Sequence, residues 1–202
     1  MCIRDSLKAG LYWPSLEYPR LEELKKSWVG GNKIALITFY RALVTSGNLK
    51  PIDALIKKLL EQGINPLPVY VSSLKDQHSD EFIAELTKKL DISGVLNATA
   101  FAVSSTESPA KAGPFRNTDC PVFQLILSSS EKDTWLASPT GLSPRDIAMN
   151  VALPEVDGRL ISRAISFKSS DEYDRKTQCS IVMYEPVRDR ISFVVNLIKG
   201  WI

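Results

Sequence analysis

Histidine is almost missing from these 202 residues: the one present, His78, sits in the polar stretch 76–80. A single imidazole leaves no histidine-rich transition-metal centre, and its place in a polar turn argues against a hydrolase triad within this segment. His78 itself reads as a solvated surface residue. Cysteine is scarce too. Cys2, Cys120 and Cys179 lie far apart, without metal-ligand spacing. An odd number at such intervals suits a reducing compartment, and the cytoplasm is the expected location. No apolar run approaches the ~20 residues that cross a bilayer, and no secretory leader is legible. Neither charge dominates: 25 Lys and Arg stand against 23 Asp and Glu, a net of +2. That lacks the basic excess of a nucleic-acid protein. No GxxxxGK[ST] loop occurs, so ATP hydrolysis by a P-loop is not expected of this chain. No GxGxxG follows the first expected strand, which leaves a dinucleotide-dependent oxidoreductase without a fingerprint.

What is present is enough apolar sequence, 44%, to build a core. Residues 33–40 (KIALITFY), 66–73 (PLPVYVSS), 94–101 (GVLNATAF) and 121–128 (PVFQLILS) are apolar, β-rich runs that read as buried strands. Between them, residues 48–62 place Ile52, Leu55, Ile56, Leu59 and Leu60 at helical spacing, with Asn48 as the expected cap, Pro51 in the first turn and Gly63 at the end. Residues 80–90 place Phe82, Ile83, Leu86 and Leu90 on one side of a second helix. Strands alternating with helices imply right-handed crossovers and a parallel sheet covered on both faces. The expected fold is a three-layer α/β domain, Rossmann-like or flavodoxin-like, with a mostly parallel sheet, followed by the start of a further α/β segment. The stretch 103–119, rich in Ser, Pro and Gly, is expected to be a long loop. Short helices are expected over 130–137 and over 143–150, the second capped by Ser143 with Pro144 at its first position. Pro154 is expected to break that helix. A strand over 160–167, a polar loop over 169–176, a strand over 179–184 and a final helix over 187–201 complete the reading.

The division expected along the chain is a non-native leader over 1–6 (MCIRDS), an entry segment over 7–32, the Rossmann-like domain over 33–150, and a truncated following part over 151–202. An interrupted chain is expected to leave apolar surface exposed around Leu197, Ile198 and Trp201.

Four segments carry a family resemblance: 39–55 (FYRALVTSGNLKPIDAL), 63–76 (GINPLPVYVSSLKD), 95–102 (VLNATAFA) and above all 135–168 (WLASPTGLSPRDIAMNVALPEVDGRLISRAISFK). Together they resemble the CobN-type large subunits of aerobic cobaltochelatases and, more distantly, the H subunits of magnesium chelatases. The block ALPE-x-DG is shared with the magnesium branch, and the continuation ISRAISFK resembles the cobalt branch. Full large subunits are several times longer, so the resemblance implies an internal piece. It implies a ligase forming nitrogen–metal bonds, which inserts Co²⁺ into hydrogenobyrinic acid a,c-diamide in cobalamin biosynthesis. It also implies an AAA+ motor subunit and an integrin-like adaptor as partners, with ATP hydrolysed there and not here. Some family members carry a histidine near the position of Leu43 and one near Trp13; neither is present here, and no metal ligands are assigned. A magnesium-chelatase H subunit acting on a porphyrin, and a non-catalytic α/β ligand-binding domain, remain alternatives.

Metal insertion needs a base for two pyrrole protons, moderately hard ligands for the metal, and groups that hold peripheral carboxylates. Glu155, beside Pro154 in the ALPE block, is the expected catalytic carboxylate; a bland role, bracing a turn or pairing with Arg159, is the alternative. Asp157 is a weaker candidate because Asp-Gly is a common turn pair. Arg41, just past the first strand at the ligand-binding edge of the sheet, could anchor a carboxylate or form a structural salt bridge. Arg159, Arg163 and Lys168 could line a basic wall or form the wet face of a strand. Asn97 and Thr99 could bind a ligand amide or satisfy backbone groups. Phe39, Tyr40, Phe101 and Phe167 could stack on a flat ring, though core packing suits most of them better.

Overall fold

The computed structural model describes residues 7–103, 114–115, 118–174 and 178–202. The leader over 1–6 and most of the loop expected over 103–119 lie outside the described residues. The entry segment supplies a short strand, β1 (Ala9–Leu11), and a short helix, α1 (Leu21–Lys25). Next come β2 (Ile34–Tyr40), α2 (Arg41–Thr45), α3 (Lys50–Glu61), β3 (Asn65–Val71), α4 (Gln77–Lys89) and β4 (Ile92–Asn97). The second half holds β5 (Val122–Glu131), α5 (Lys132–Ala137), α6 (Pro144–Ile147), α7 (Leu153–Val156), β6 (Leu160–Asp174), β7 (Cys179–Pro186) and α8 (Arg188–Lys199).

The seven strands of the described residues join one sheet in the order β1-β3-β2-β4-β5-β6-β7. The five central strands run parallel, while β1 and β7 close the edges antiparallel. The parallel part, 3-2-4-5-6, is the order of a flavodoxin-like sheet. The chain first winds from β2 toward β3 and then reverses, so the turning point of the topology lies between β2 and β4. The sheet also runs across the boundary drawn at residue 150, because β6 and β7 extend it rather than starting another.

Each face of the sheet carries its own core. On one, Ile52, Leu55 and Leu59 of α3 and Ile191, Val194 and Ile198 of α8 pack on Ile37, Phe39, Leu96, Phe123 and Ile165. On the other, Leu24, Ile83 and Leu86 pack on Leu36, Leu67, Val69 and Val95. The α3 spacing i, i+3, i+7 aims one face inward, and each such side chain contributes roughly 1.5–3 kcal/mol when fully buried. Ile198 is therefore not exposed as expected: α8 docks on the sheet and buries it completely, while Trp201 remains 60% exposed. Gly94 makes that docking possible, since a Cβ there would come within 2.8 Å of Ile198 Cδ1.

Three local readings are corrected. Asn48 does not cap α3, whose N-cap is Leu49. Its amide instead closes the outer edge of β7, accepting from the Tyr184 N–H at 2.7 Å and donating to the Val182 carbonyl at 3.4 Å. The polar stretch 169–176 is not a loop in its first part: β6 continues to Asp174 and pairs with β7. An antiparallel arm wet on both sides needs no apolar alternation, so its composition resembles that of a loop. Pro154 does not break the helix. Ser143 caps and Pro144 starts it as expected, its Oγ accepting from the Asp146 N–H at 3.1 Å. The chain then widens into a π-helical turn over Ala148–Ala152, where the Leu153 N–H reaches the Ala148 carbonyl, and passes through Pro154 into α7. The wider turn accommodates a residue that has no N–H to give and would clash in a regular turn. Residues 144–156 thus form one continuous rod.

Candidate functional site

Ligands of open α/β sheets bind at the C-terminal strand edge where the topology turns. Here that place is a crevice of ≈ 280 Å³ lined by Tyr40 at the end of β2, Ala98, Ala100 and Phe101 beyond β4, Ser129 of β5, Lys168 of β6, Tyr184 of β7, and Arg145, Asp146 and Met149 of the rod. Tyr40 fixes its floor: its hydroxyl donates to the Ala100 carbonyl and accepts from the Ala100 N–H, each at 3.1 Å. Burial pushes its phenol above the ordinary 10.0. Phe101, half exposed at the rim, holds a left-handed φ of 68° that is costly for an aromatic residue. Its N–H is tied to the Met149 carbonyl of the rod at 3.0 Å.

Two carboxylates anchor the rod. At its start Asp146, 2% exposed, accepts from Ser128 Oγ at 2.7 Å, Ser129 Oγ at 2.8 Å and the Ser129 N–H at 3.0 Å. Just past its end Asp157 accepts from Arg159 Nη2 at 2.6 Å and from the Val103 N–H at 2.8 Å. Asp146 was not singled out in the sequence; the signal was the serine run 128–130 ending an apolar strand.

A polar row crosses the sheet below the crevice. Thr38, Asn97 and Gln124 occupy the same register on β2, β4 and β5, and none has exposed surface. Thr38 Oγ1 donates to Asn97 Oδ1 at 2.7 Å, and Asn97 Nδ2 donates to Gln124 Oε1 at 2.8 Å. Arg159 Nη1 reaches the same Gln124 oxygen at 2.9 Å. Thr99 closes the row by donating its hydroxyl to Asn97 Oδ1 at 2.9 Å. Loss of solvent pulls the Arg159 guanidinium below its ordinary value, against the pull of Asp157. Asn97, Asp157 and Arg159 are thus brought together: Arg159 holds Asp157 and meets Asn97 through Gln124.

The remaining candidates stand apart. Glu155 is exposed on the outer side of the rod, with no ion pair to Arg159, which takes Asp157 instead. Arg163 is exposed on β6 and lies over the Phe193 ring at 3.6 Å. Arg41 opens α2 at the sheet edge, directly after Tyr40. Phe39 and Phe167 are core residues. His78 is exposed on α4. A larger cavity, ≈ 630 Å³, lies at the opposite ends of β5 and β6, among Phe115, Cys120, Val122, Asp157, Arg159 and Trp201. There burial raises the Cys120 thiol above 9.0, away from a reactive thiolate. Among the described residues no cluster of three or more His, Cys, Asp or Glu side chains could hold a metal ion. Nor is any described helix long and apolar enough to cross a membrane.

Residues 4–202 match a protein family described as CobN/Magnesium Chelatase. The chain is 43% identical over 204 residues to aerobic cobaltochelatase subunit CobN of Sinorhizobium sp, covering 96% of this chain and 16% of that protein. It is 35% identical over 194 residues to the subunit of the same name from Pseudomonas aeruginosa, covering 96% of this chain and 15% of that one. Among solved structures it superposes on the catalytic subunit of cobaltochelatase from Mycobacterium tuberculosis with a TM-score of 0.67 and 26% identity, over 96% of this chain and 15% of that chain. The chain therefore spans less than a fifth of the relatives it matches.

Proposed function

The chain belongs to the CobN/Magnesium Chelatase family, and from that membership we propose that it forms part of the tetrapyrrole-binding large subunit of an ATP-dependent, cytoplasmic cobaltochelatase. The observation that carries the reading is the match of nearly the whole chain to cobaltochelatase subunits at 43% and 35% identity. The reaction is insertion of Co²⁺, as substrate, into hydrogenobyrinic acid a,c-diamide. ATP is hydrolysed by an AAA+ motor working through an integrin-like adaptor, which agrees with the missing P-loop. Glu155 is the proposed proton acceptor or metal-handling carboxylate. Its exposure on a rod fixed at both ends leaves the carboxylate available to a macrocycle. Arg41 and Arg163 are the proposed outer contacts to the ring's periphery. Asn97, Asp157 and Arg159 act through the buried row that sets the height of the rod and of the segment after β4.

The test replaces the matching segment of the Sinorhizobium subunit with this chain. The chimera is then assayed with motor, adaptor, ATP, Co²⁺ and corrinoid. Cobalt insertion supports the proposal. Magnesium insertion into a porphyrin, with none into the corrinoid, assigns the segment to the magnesium branch. A folded chimera that binds ring but metallates nothing reduces it to a ligand-binding domain.

A further inference from the structure

We propose that the crevice between the ends of β2 and β4 is a pocket for a single carboxylate group on the periphery of the ring substrate, gripped by Arg145 and Lys168. The assignment rests on the tetrapyrrole reading above and names which part of the ligand enters.

Size is the first argument. A space of ≈ 280 Å³ falls just below the 300–1,000 Å³ that encloses a drug-sized ligand. It admits a carboxylate-bearing side chain and excludes the macrocycle itself. Charge is the second. Arg145, in the first turn of the rod, and Lys168, on β6, both line the crevice and form no ion pair with a described carboxylate. Two acids lie close by, and neither takes those donors. Asp146 has its oxygens filled by Ser128 and Ser129. Glu131, opposite Lys168 in the sheet register, accepts from Ser170 Oγ at 3.0 Å. Their charges hold the cations near the crevice, while the guanidinium fork and the ammonium hydrogens remain for a ligand. The Tyr184 hydroxyl is a third donor without a partner among the described residues, and burial keeps it a neutral phenol. Two cations and a phenol select a carboxylate over a carboxamide or an ester, which offers no charge. Backbone placement is the last argument. Arg145 is rooted next to the most firmly held carboxylate of the rod, and Lys168 on a paired strand, so binding has only the side chains themselves to order.

The test measures binding of a polycarboxylate porphyrin and of its full methyl ester to the 202-residue chain by tryptophan quenching. Wild type is compared with Arg145→Gln, Lys168→Met and the double variant. The free acid should bind wild type at least about 10-fold tighter than the ester. Each single variant should lose about 10-fold on the acid and nothing on the ester, the scale of one charged hydrogen bond. Arg145→Lys should recover part of the loss. Urea midpoints should stay unchanged, because neither side chain has an ion-pair or hydrogen-bond partner to lose among the described residues. Equal affinity for acid and ester, or equal losses on both in folded variants, overturns the assignment. If no ring binds in either form while tricarballylate binds wild type and not the double variant, the pocket stands and the chelatase reading falls. If the chimera carrying both substitutions metallates corrinoid with unchanged KM, the pocket falls and the chelatase reading stands.

Discussion

Removing the Asp157 carboxylate tests how the rod is held. Arg159 has 3% of its side chain exposed and Asp157 has 11%, so the pair is effectively inside the protein. In Asp157→Ala the guanidinium keeps one acceptor, Gln124 Oε1, which it already shares with Asn97. The Val103 N–H loses its acceptor as well. Stranding a buried charge in this way costs about 3–5 kcal/mol. For a chain of this size 1 kcal/mol moves Tm by about 2–4 °C, so a fall of about 6–20 °C is expected. Arg159→Met strands the carboxylate instead and should cost slightly less, because Asp157 keeps the Val103 N–H and more contact with water. The double variant removes both charges. Gln124 still receives Asn97, and the methionine fills the space, so it should lie within about 2 kcal/mol of wild type. The assay is urea unfolding of all four proteins, which yields a coupling energy of at least about 2 kcal/mol. Strictly additive losses, or an Asp157→Ala variant within about 0.5 kcal/mol of wild type, refute the claim that the pair closes a buried network.

Three further outcomes are expected. In the intact large subunit, Glu155→Gln should slow cobalt insertion at least ~100-fold while corrinoid affinity holds, the lower end for a general base; near-normal turnover removes Glu155 from the chemistry. Asp53, which accepts from Tyr12 Oη at 2.6 Å, has its pKa raised above 3.8 by burial. The folded chain therefore takes up a proton there before the unfolded chain does, and the cost of burying this charge is relieved as pH falls toward 3.8. Asp53→Asn should remove that contribution, so its stability relative to wild type should rise as pH increases from 3.8; a gap in urea midpoints that stays constant as pH rises contradicts the assignment. Gly94→Val should destabilise by about 1–3 kcal/mol, because its side chain meets Ile198 and Ile202 of the docked C-terminal segment; an unchanged midpoint means that this segment does not pack on β4.

The parallel sheet was legible because its strands are buried on both faces and read as unbroken apolar runs. Thr38 in IALITF, Asn97 in GVLN and Gln124 in VFQLIL are each a polar interruption of such a run. Read together they announce the buried row, but only the register shows that they are neighbours. Arg159 and Asp157 were legible as candidates for chemistry and turned out to satisfy each other, since two residues apart in sequence says nothing about burial. The hairpin arm after Lys168 was illegible for a different reason: its pairing is made by the backbone, and its side chains carry no apolar period. Pro154 misled because propensity describes a regular helix, and a π turn is a tertiary accommodation that no local rule anticipates.

The rod shows why its candidate residues can be tested separately from the fold. An amphipathic helix is normally held by its apolar face, yet Ile147, Leu153 and Val156 are 42%, 38% and 65% exposed. Burying any of them fully would contribute roughly 1.5–3 kcal/mol, a gain the rod forgoes on its outer side. Its position is set instead by polar anchors beneath, Asp146 on the two serines of β5 and Asp157 on Arg159, with Pro154 and Val151 as the apolar contacts between them. Arg145 and Glu155 each stand next to or near one anchor in sequence and have exposed side chains, Arg145 in the lining of the crevice. Substitutions at 145 and 155 therefore remove charge from a surface whose geometry is fixed by other residues. A change in binding or turnover at either position, with an unchanged urea midpoint, is then a statement about chemistry rather than about folding.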